Sequence, residues 1–259
     1  MDQSPKIEGI EFRHCDTLEE YEKCVRLEHI VWGEELALPS GMFRVARHTG
    51  GQVIGAFHSG KMIGFALAFM GHRAGQMYLH SHMAAVLAEY QNRGIGRQLK
   101  LMQREDALSR EINLIEWTFD PFEIKNAHFN LVRLGAVARR FIVNCYGITD
   151  SPRHLGLPTD RLVAEWWLKS ERVRAIAEGK AMALRGSRFI SLPLNIAEIR
   201  ATKPAEALQV QERVRDEFLH AFADGYLATA IEYGPDRIEY HLTRASDIPG
   251  LALSEASSH

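Results

Sequence analysis

The chain has 259 residues, 46% hydrophobic and 25% charged, the profile of an ordinary globular protein with room for one large domain or a domain and an appendage. Lysine and arginine number 31 against 33 aspartates and glutamates, and the net charge of −2 gives no electrostatic case for nucleic acid or an anionic membrane as the main partner. The three cysteines, Cys15, Cys24 and Cys145, lack CxxC spacing, which speaks against a disulfide framework or a structural zinc site and fits a reducing, cytoplasmic setting.

The opening residues, MDQSPKIEGIEF, carry no apolar signal core, so no signal peptide is predicted. Gly9 to His14 reads as a first strand. A helix is predicted from near Thr17, because Thr17 and Glu20 have capping-box spacing. Tyr21, Cys24, Val25, Val31 and Trp32 recur at helical intervals and supply its buried side. Glu28 interrupts that face, which places it at the edge of the stripe or on a cleft. Residues 33–50 read as a loop or short helix containing LPSG.

QVIGAFHSGKMIGFALAF predicts a hairpin around Ser59-Gly60-Lys61, the glycine allowing the positive φ of a tight turn. Its longest nearly apolar run, Met62 to Gly71, is far below the roughly 18–20 residues of a membrane span. Gln76 to Tyr90 reads as another strand, and GIGRQLKLMQREDALSREI as a helix with Leu99, Met102, Ala107 and Leu108 inward. Asn113 to Phe119 is a strand bounded by Asp120-Pro121, and IKNAHFNLVRLG is a helix stopping at Gly135. AVARRFIVNCYG and DRLVAEWWLK both read as strands. The order β-α-β-β-β-α-β-α-β-β predicts an α/β (α+β) layer fold with a mixed sheet. It is not a doubly wound dinucleotide domain, since three strands run consecutively before the glycines.

In the tail, ERVRAIAEGKA is a predicted helix and Arg188 to Ile196 a strand that Pro193 places at an edge or bulge. PAEALQVQERVRDEFLHAFADGY is a long helix with Pro204 in its first turn. LATAIEY and RIEYHLTR form a hairpin about Gly234-Pro235-Asp236, and residues 250–259 read as a frayed end. No repeat or low-complexity linker separates the tail, so residues 171–259 read as an extension of a core spanning 1–170.

The segment AVLAEYQNRGIGRQL, Ala85 to Leu99, carries the chemistry. A strand, a glycine loop and a helix start make a generic anion site: amides near Gly94 to Arg97 have no partner inside the helix, and the helix dipole favours negative charge there. Gly94 and Gly96 allow close approach, and Arg93 and Arg97 can add charge-assisted hydrogen bonds. A P-loop would need Lys-Ser or Lys-Thr after the glycines, and a dinucleotide fingerprint would need glycine or alanine where Leu99 stands. Gln91-Asn92-Arg93-Gly94-Ile95-Gly96 instead satisfies Q/R-x-x-G-x-G/A.

That hexapeptide, set between its strand and helix and followed by a strand and an N…LG helix, resembles the coenzyme A pyrophosphate motif of the GNAT N-acetyltransferase superfamily. The resemblance runs from about Ile7 to Leu168, and HMAAV, WTFDP and LPTDR together resemble a subgroup with a C-terminal extension. It implies a mostly antiparallel sheet flanked by helices, with acetyl-CoA or another acyl-CoA as co-substrate. Ala85, Val86 and Leu87 would pair with the pantetheine arm. Gln91, Arg93, Gly94, Ile95, Gly96 and Arg97 would wrap the pyrophosphate, and Asn126 would contact the cofactor. The resemblance also shows a departure: Leu131 stands where many members carry the tyrosine that protonates the leaving thiolate, and Ala136 replaces a usual phenylalanine.

Tyr146, one strand later, is the substitute acid candidate, set against ordinary packing with its hydroxyl at the surface. The acceptor amine must lose a proton to attack. His80 and His82 share one strand face, Glu116 lies in an apolar strand, and His82 or Glu116 acting through water is the candidate base. Asp160 and Arg161 could bind an acceptor carboxylate or tie the tail down. The functional expectation is acetyl or succinyl transfer to a small amine or amino acid, with no metal, nucleic acid or membrane partner and with a homodimer left open. A non-catalytic acyl-CoA sensor, a protein acetyltransferase and a nucleotide-binding enzyme are the alternatives.

Overall fold

A computed structural model describes residues 9–33, 37–148, 155–182, 186–248 and 250–251. The chain divides into two compact units, the first ending at Glu116 and the second beginning at Trp117. The end expected to fray lies mostly outside the described residues.

The first unit holds β1 (Ile10–His14), α1 (Leu18–Trp32), α2 (Ser40–His48), β2 (Gln52–His58), β3 (Lys61–Arg73), β4 (Gln76–Val86), α3 (Ile95–Ser109) and the start of β5 (Leu114–Phe119). Its strand order is β1-β2-β3-β4-β5, antiparallel throughout except for the parallel β4–β5 pair. Both tight turns put two successive residues at positive φ, Ser59-Gly60 and Ala74-Gly75, the geometry that matches strand twist in a two-residue hairpin. The predicted capping box is present at the head of α1: the Thr17 side chain accepts from the Glu20 amide, and Glu20 accepts from the amide of Thr17. The region read as loop or short helix contains α2, which packs Phe43 between Tyr21 and Phe65, with ring centroids 6.3 and 5.8 Å away.

α1 and α2 lie on β3, and α3 lies on β2, β3 and β4. With helices on the sheet, β2 and the first half of β3 are buried at successive positions, so they read as unbroken apolar runs rather than as alternating ones. The strand expected over 76–90 stops at Val86. Leu87 still donates to the Ile63 carbonyl at 2.9 Å, but Ala88–Tyr90 turns into a single 3-10 turn.

The second unit contains α4 (Ile124–His128), β6 (Val137–Ile142), β7 (Arg161–Trp167), α5 (Glu171–Ala177), β8 (Arg188–Pro193), α6 (Ile196–Thr202), α7 (Pro204–Ala223), β9 (Tyr226–Tyr233) and β10 (Arg237–Arg244). Its antiparallel order is β7-β6-β9-β10-β8. α7 centres on buried Phe218, whose ring meets Phe141, Phe222 and Tyr240 at centroid distances of 5.8, 5.5 and 5.1 Å. Pro193 ends edge strand β8, and α6 begins at Ile196, the last residue of the segment read as strand. Seven residues are too few for a helical period to stand out. The predicted helix 124–134 is α only to His128 and then widens into a π turn, Phe129–Arg133, before Gly135 closes it at φ 78°. The strand expected over 136–147 ends at Ile142, and Asn144 to Tyr146 form a turn.

Candidate functional site

β4 supplies the first part of the site. Its ladder with β5 consists of Leu79↔Ile115 and His80↔Glu116. From Ser81 to Val86 the edge facing away from β3 has no strand partner among the described residues. Such an edge presents unpaired backbone groups that an extended ligand can pair with. Ala85, Val86 and Leu87 lie at its end. Gly64 of β3 sits against this end: a Cβ there would come within 2.9 Å of the Ala85 carbonyl oxygen. The β3–β4 register slips between Leu67↔Met83 and Ala68↔Ser81, which leaves His82 as the extra residue of a bulge. A bulge interrupts the ladder and re-aims the side chains beside it.

The loop that follows is shaped by two left-handed residues, Asn92 at φ 60° and Gly94 at φ 83°. Gln91 Nε2 donates to the Val86 carbonyl at 3.0 Å and so ties the loop to the end of β4. The Arg93 guanidinium stands 5.4 Å from the Tyr90 ring centre, and the Tyr90 hydroxyl is 2.9 Å from His58 Nδ1. Gly94 caps α3 and offers no side chain to accept from the first turn, and Ile95 anchors the turn in the core. A Cβ at Gly96 would meet nothing within 4 Å. The protein's own packing therefore does not require glycine there, whereas a diphosphate resting on the helix start would. Arg97 is half-buried in the same turn. A glycine-entered helix start of this kind is a generic anion site.

The strand histidines come next. The imidazoles of His80 and His82 are 6.3 Å apart, and Phe69 lies 5.7 Å from His82. His82 is exposed as a residue, yet the part of its ring set against the protein is desolvated enough to lower its pKa below the usual value. It is therefore neutral at pH 7 and able to accept a proton. Glu116 is buried, and both its oxygens accept from Arg73, at 3.1 and 2.8 Å. A carboxylate held by a guanidinium fork is a weaker base than a solvated one.

On the other face of β4, Ser81 turns toward α3. Lys100 Nζ donates to Ser81 Oγ at 2.8 Å, and Ser81 Oγ lies 3.2 Å from Gln103 Oε1. Burial pushes the Lys100 ammonium down to about 7. The apolar reading of α3 passed over this stripe. Lys100, Gln103 and Ala107 lie at helical spacing on one buried face, and that spacing was the available signal. Glu28, expected at an edge or on a cleft, is instead wholly buried.

In the second unit Asn126 is exposed on α4. Leu131, inside the π turn, is fully buried, and its carbonyl accepts from Arg172 Nη2 at 2.8 Å. The turn from Asn144 to Gly147 presents an exposed Tyr146, whose hydroxyl is 2.8 Å from Thr118 Oγ1 and whose ring lies 5.4 Å from the Arg161 guanidinium. Asp160 is buried, accepting from the Asn144 amide and from Arg215 Nε at 2.9 and 2.8 Å. Arg200 of α6 reaches Asp120 at 2.9 Å. Both acids thus bind arginines of the tail.

The first unit thus places an open strand edge beside a helix entered through glycine. Residues 13–130 match the model of the Acetyltransferase (GNAT) family. Among solved structures, Arabidopsis thaliana Naa50 in complex with the bisubstrate analogue CoA-Ac-MVNAL is 14% identical, with 61% of this chain and 97% of that one covered at a TM-score of 0.50. Arabidopsis thaliana NAA60 in complex with acetyl-CoA is also 14% identical, with 61% and 99% covered at a TM-score of 0.50. An acetyltransferase of Acinetobacter baylyi ADP1 is 16% identical, with 60% and 91% covered at a TM-score of 0.50. At these identities the likeness is one of fold. Comparison with curated proteins gave no match. Among the described residues no helix is long and apolar enough to cross a membrane, and no group of three acidic, histidine or cysteine residues could hold a metal ion.

Proposed function

We propose that this chain transfers an acyl group, acetyl or succinyl, from a coenzyme A thioester to a small amine or amino acid. The observation that supports this most is the helix start at Gly94–Gly96, where a left-handed glycine enters the helix and a Cβ at Gly96 would meet nothing within 4 Å. The pantetheine arm pairs with Ala85–Leu87, and the diphosphate rests on the amides of Gly94 to Arg97 with Gln91 and Arg93 beside it. Catalysis comes mainly from holding amine and thioester in attack geometry, with backbone donors polarising the carbonyl. His82, neutral at pH 7, accepts the amine proton through water, with Glu116 the alternative. The experiment is a thermal-shift screen with acetyl-CoA, succinyl-CoA, ATP and NAD. An acyl-CoA at 100 times its dissociation constant stabilises by about 2.7 kcal/mol, a shift of several degrees. Thiol release with an amine panel then reads turnover. Stabilisation by ATP or NAD alone would overturn the assignment.

A second reading, an acyl-CoA sensor without turnover, is favoured by the buried Leu131, which cannot protonate a thiolate. Tyr146 is the substitute donor in the enzymatic reading. Tyr146→Phe is expected to lower kcat about a hundredfold without changing the dissociation constant for acetyl-CoA. An unchanged rate would hand the proton to water. The peptide-bearing analogue bound to Naa50 keeps protein acetylation as a further alternative, which the amine panel tests by including peptide N-termini.

A further inference from the structure

Glu28 lies on the inward face of α1, one turn after Cys24 and one before Trp32, and is wholly buried. Its Oε2 accepts from the Leu38 amide at 3.0 Å, and its Oε1 is buried with no partner among the described residues. A buried carboxylate oxygen without a donor costs free energy, and a neutral acid would leave a hydroxyl without an acceptor instead. In either state the group is one partner short.

The fold indicates which side of the sheet that partner approaches. α1 packs on β3 and β4. Ser81 turns toward α3 through Lys100 and Gln103. Strand alternation therefore puts His80 on the opposite face, and the His80–His82 ring contact keeps His82 with it. Phe69, which touches His82, lies four residues after Phe65 on β3 and so on its face, and Phe65 meets Trp32 of α1 and Phe43 of α2. The helix that carries Glu28 and the histidines of the bulge thus lie on one face of the first unit's sheet.

We propose that Glu28 is the amine anchor of the acceptor site, its Oε1 receiving an N–H of a primary ammonium group. The proposal rests on the acyltransferase reading and narrows it to cationic primary amines. The group suits this role because no charged group among the described residues pairs with it. Burial raises its pKa to about 7, and the Leu38 amide alone draws it back. Arg47 of α2 pairs with Asp16 and Arg73 of β3 with Glu116. Cys24, on the same face of α1, is buried as a thiol. An arriving ammonium would meet an unpaired oxygen and hold it ionised.

The test uses the full chain labelled with 13C at glutamate side-chain carboxyls, with the Glu28 resonance assigned by its loss in Glu28→Gln and propylammonium chloride as the probe. The expected result is a saturable shift of the Glu28 signal and a lower titration midpoint, neither reproduced by sodium chloride. In the thiol-release assay Glu28→Gln should raise KM for the best amine about tenfold or more and leave the acetyl-CoA dissociation constant unchanged. A Glu28 signal that ignores propylammonium overturns the proposal, and so does an unchanged KM. Should Glu28→Gln not fold, Glu28→Asp supplies the assignment. Failure of acetyl-CoA to bind with the ammonium shift intact would instead sink the acyltransferase reading and leave the amine site standing.

Discussion

Gly94→Val is expected to abolish acetyl-CoA binding while the chain stays folded. Gly94 sits at φ 83° and caps α3 without a side-chain hydrogen bond. A β-branched residue is a genuine outlier at that angle, and holding it there costs about 1–3 kcal/mol. The loop would relax toward negative φ, and the amides of the first turn of α3 would turn with it. The core need not follow, because Ile95 and Leu99 remain anchored among the residues of the first unit. Calorimetry with acetyl-CoA should show no heat of binding, and the melting temperature should fall by only a few degrees. Gly96→Ala is the matched control. Its methyl enters open space, so stability should hold while affinity falls, because the methyl occupies the place of the ligand. Undiminished affinity in Gly94→Val would mean the diphosphate lies elsewhere.

This part of the site was legible in the sequence because it is local. Gln91 to Gly96 fixes a loop shape within six residues, and the flanking strand and helix announce themselves by period. The capping box at Thr17 and the hairpin at Ser59-Gly60 were legible for the same reason. The polar groups of the interior were not. Lys100 and Gln103 look like surface residues until β4 supplies Ser81 as their partner, and Glu28 looks like an edge residue until α1 is seen packed on the sheet. Each depends on a partner far along the chain, which periodicity does not encode. The π turn at Phe129–Arg133 is a further case. Its sequence is helical throughout, and the widening coincides with a carbonyl, that of Leu131, drawn to Arg172 across a separation of 41 residues.

The tail shows the same contrast from the stability side, and it leads to the second large effect. Asp160→Ala is expected to destabilise the second unit by about 3–5 kcal/mol, because removing one member of a buried pair strands the other charge. The side chain of Asp160 is 1% exposed and that of Arg215 19%. The same carboxylate also accepts the Asn144 amide, so the substitution orphans two donors. Asp160→Asn keeps an acceptor for Asn144 and should cost less. Combining Asp160→Ala with Arg215→Met should recover part of the loss, since an apolar replacement of both partners removes the stranded charge. Urea unfolding followed by tryptophan fluorescence suits the measurement, because Trp117 and Trp166 meet edge to face at 6.1 Å inside this unit. The turn that Asp160 secures is also the one that presents Tyr146, through Thr159 Oγ1 accepting the Tyr146 amide at 2.8 Å. If Tyr146 supplies the proton to the thiolate, Asp160→Asn should lower kcat below what its stability loss explains, with the acetyl-CoA dissociation constant unchanged. A variant that loses stability and keeps full kcat would confine Asp160 to tying the tail down.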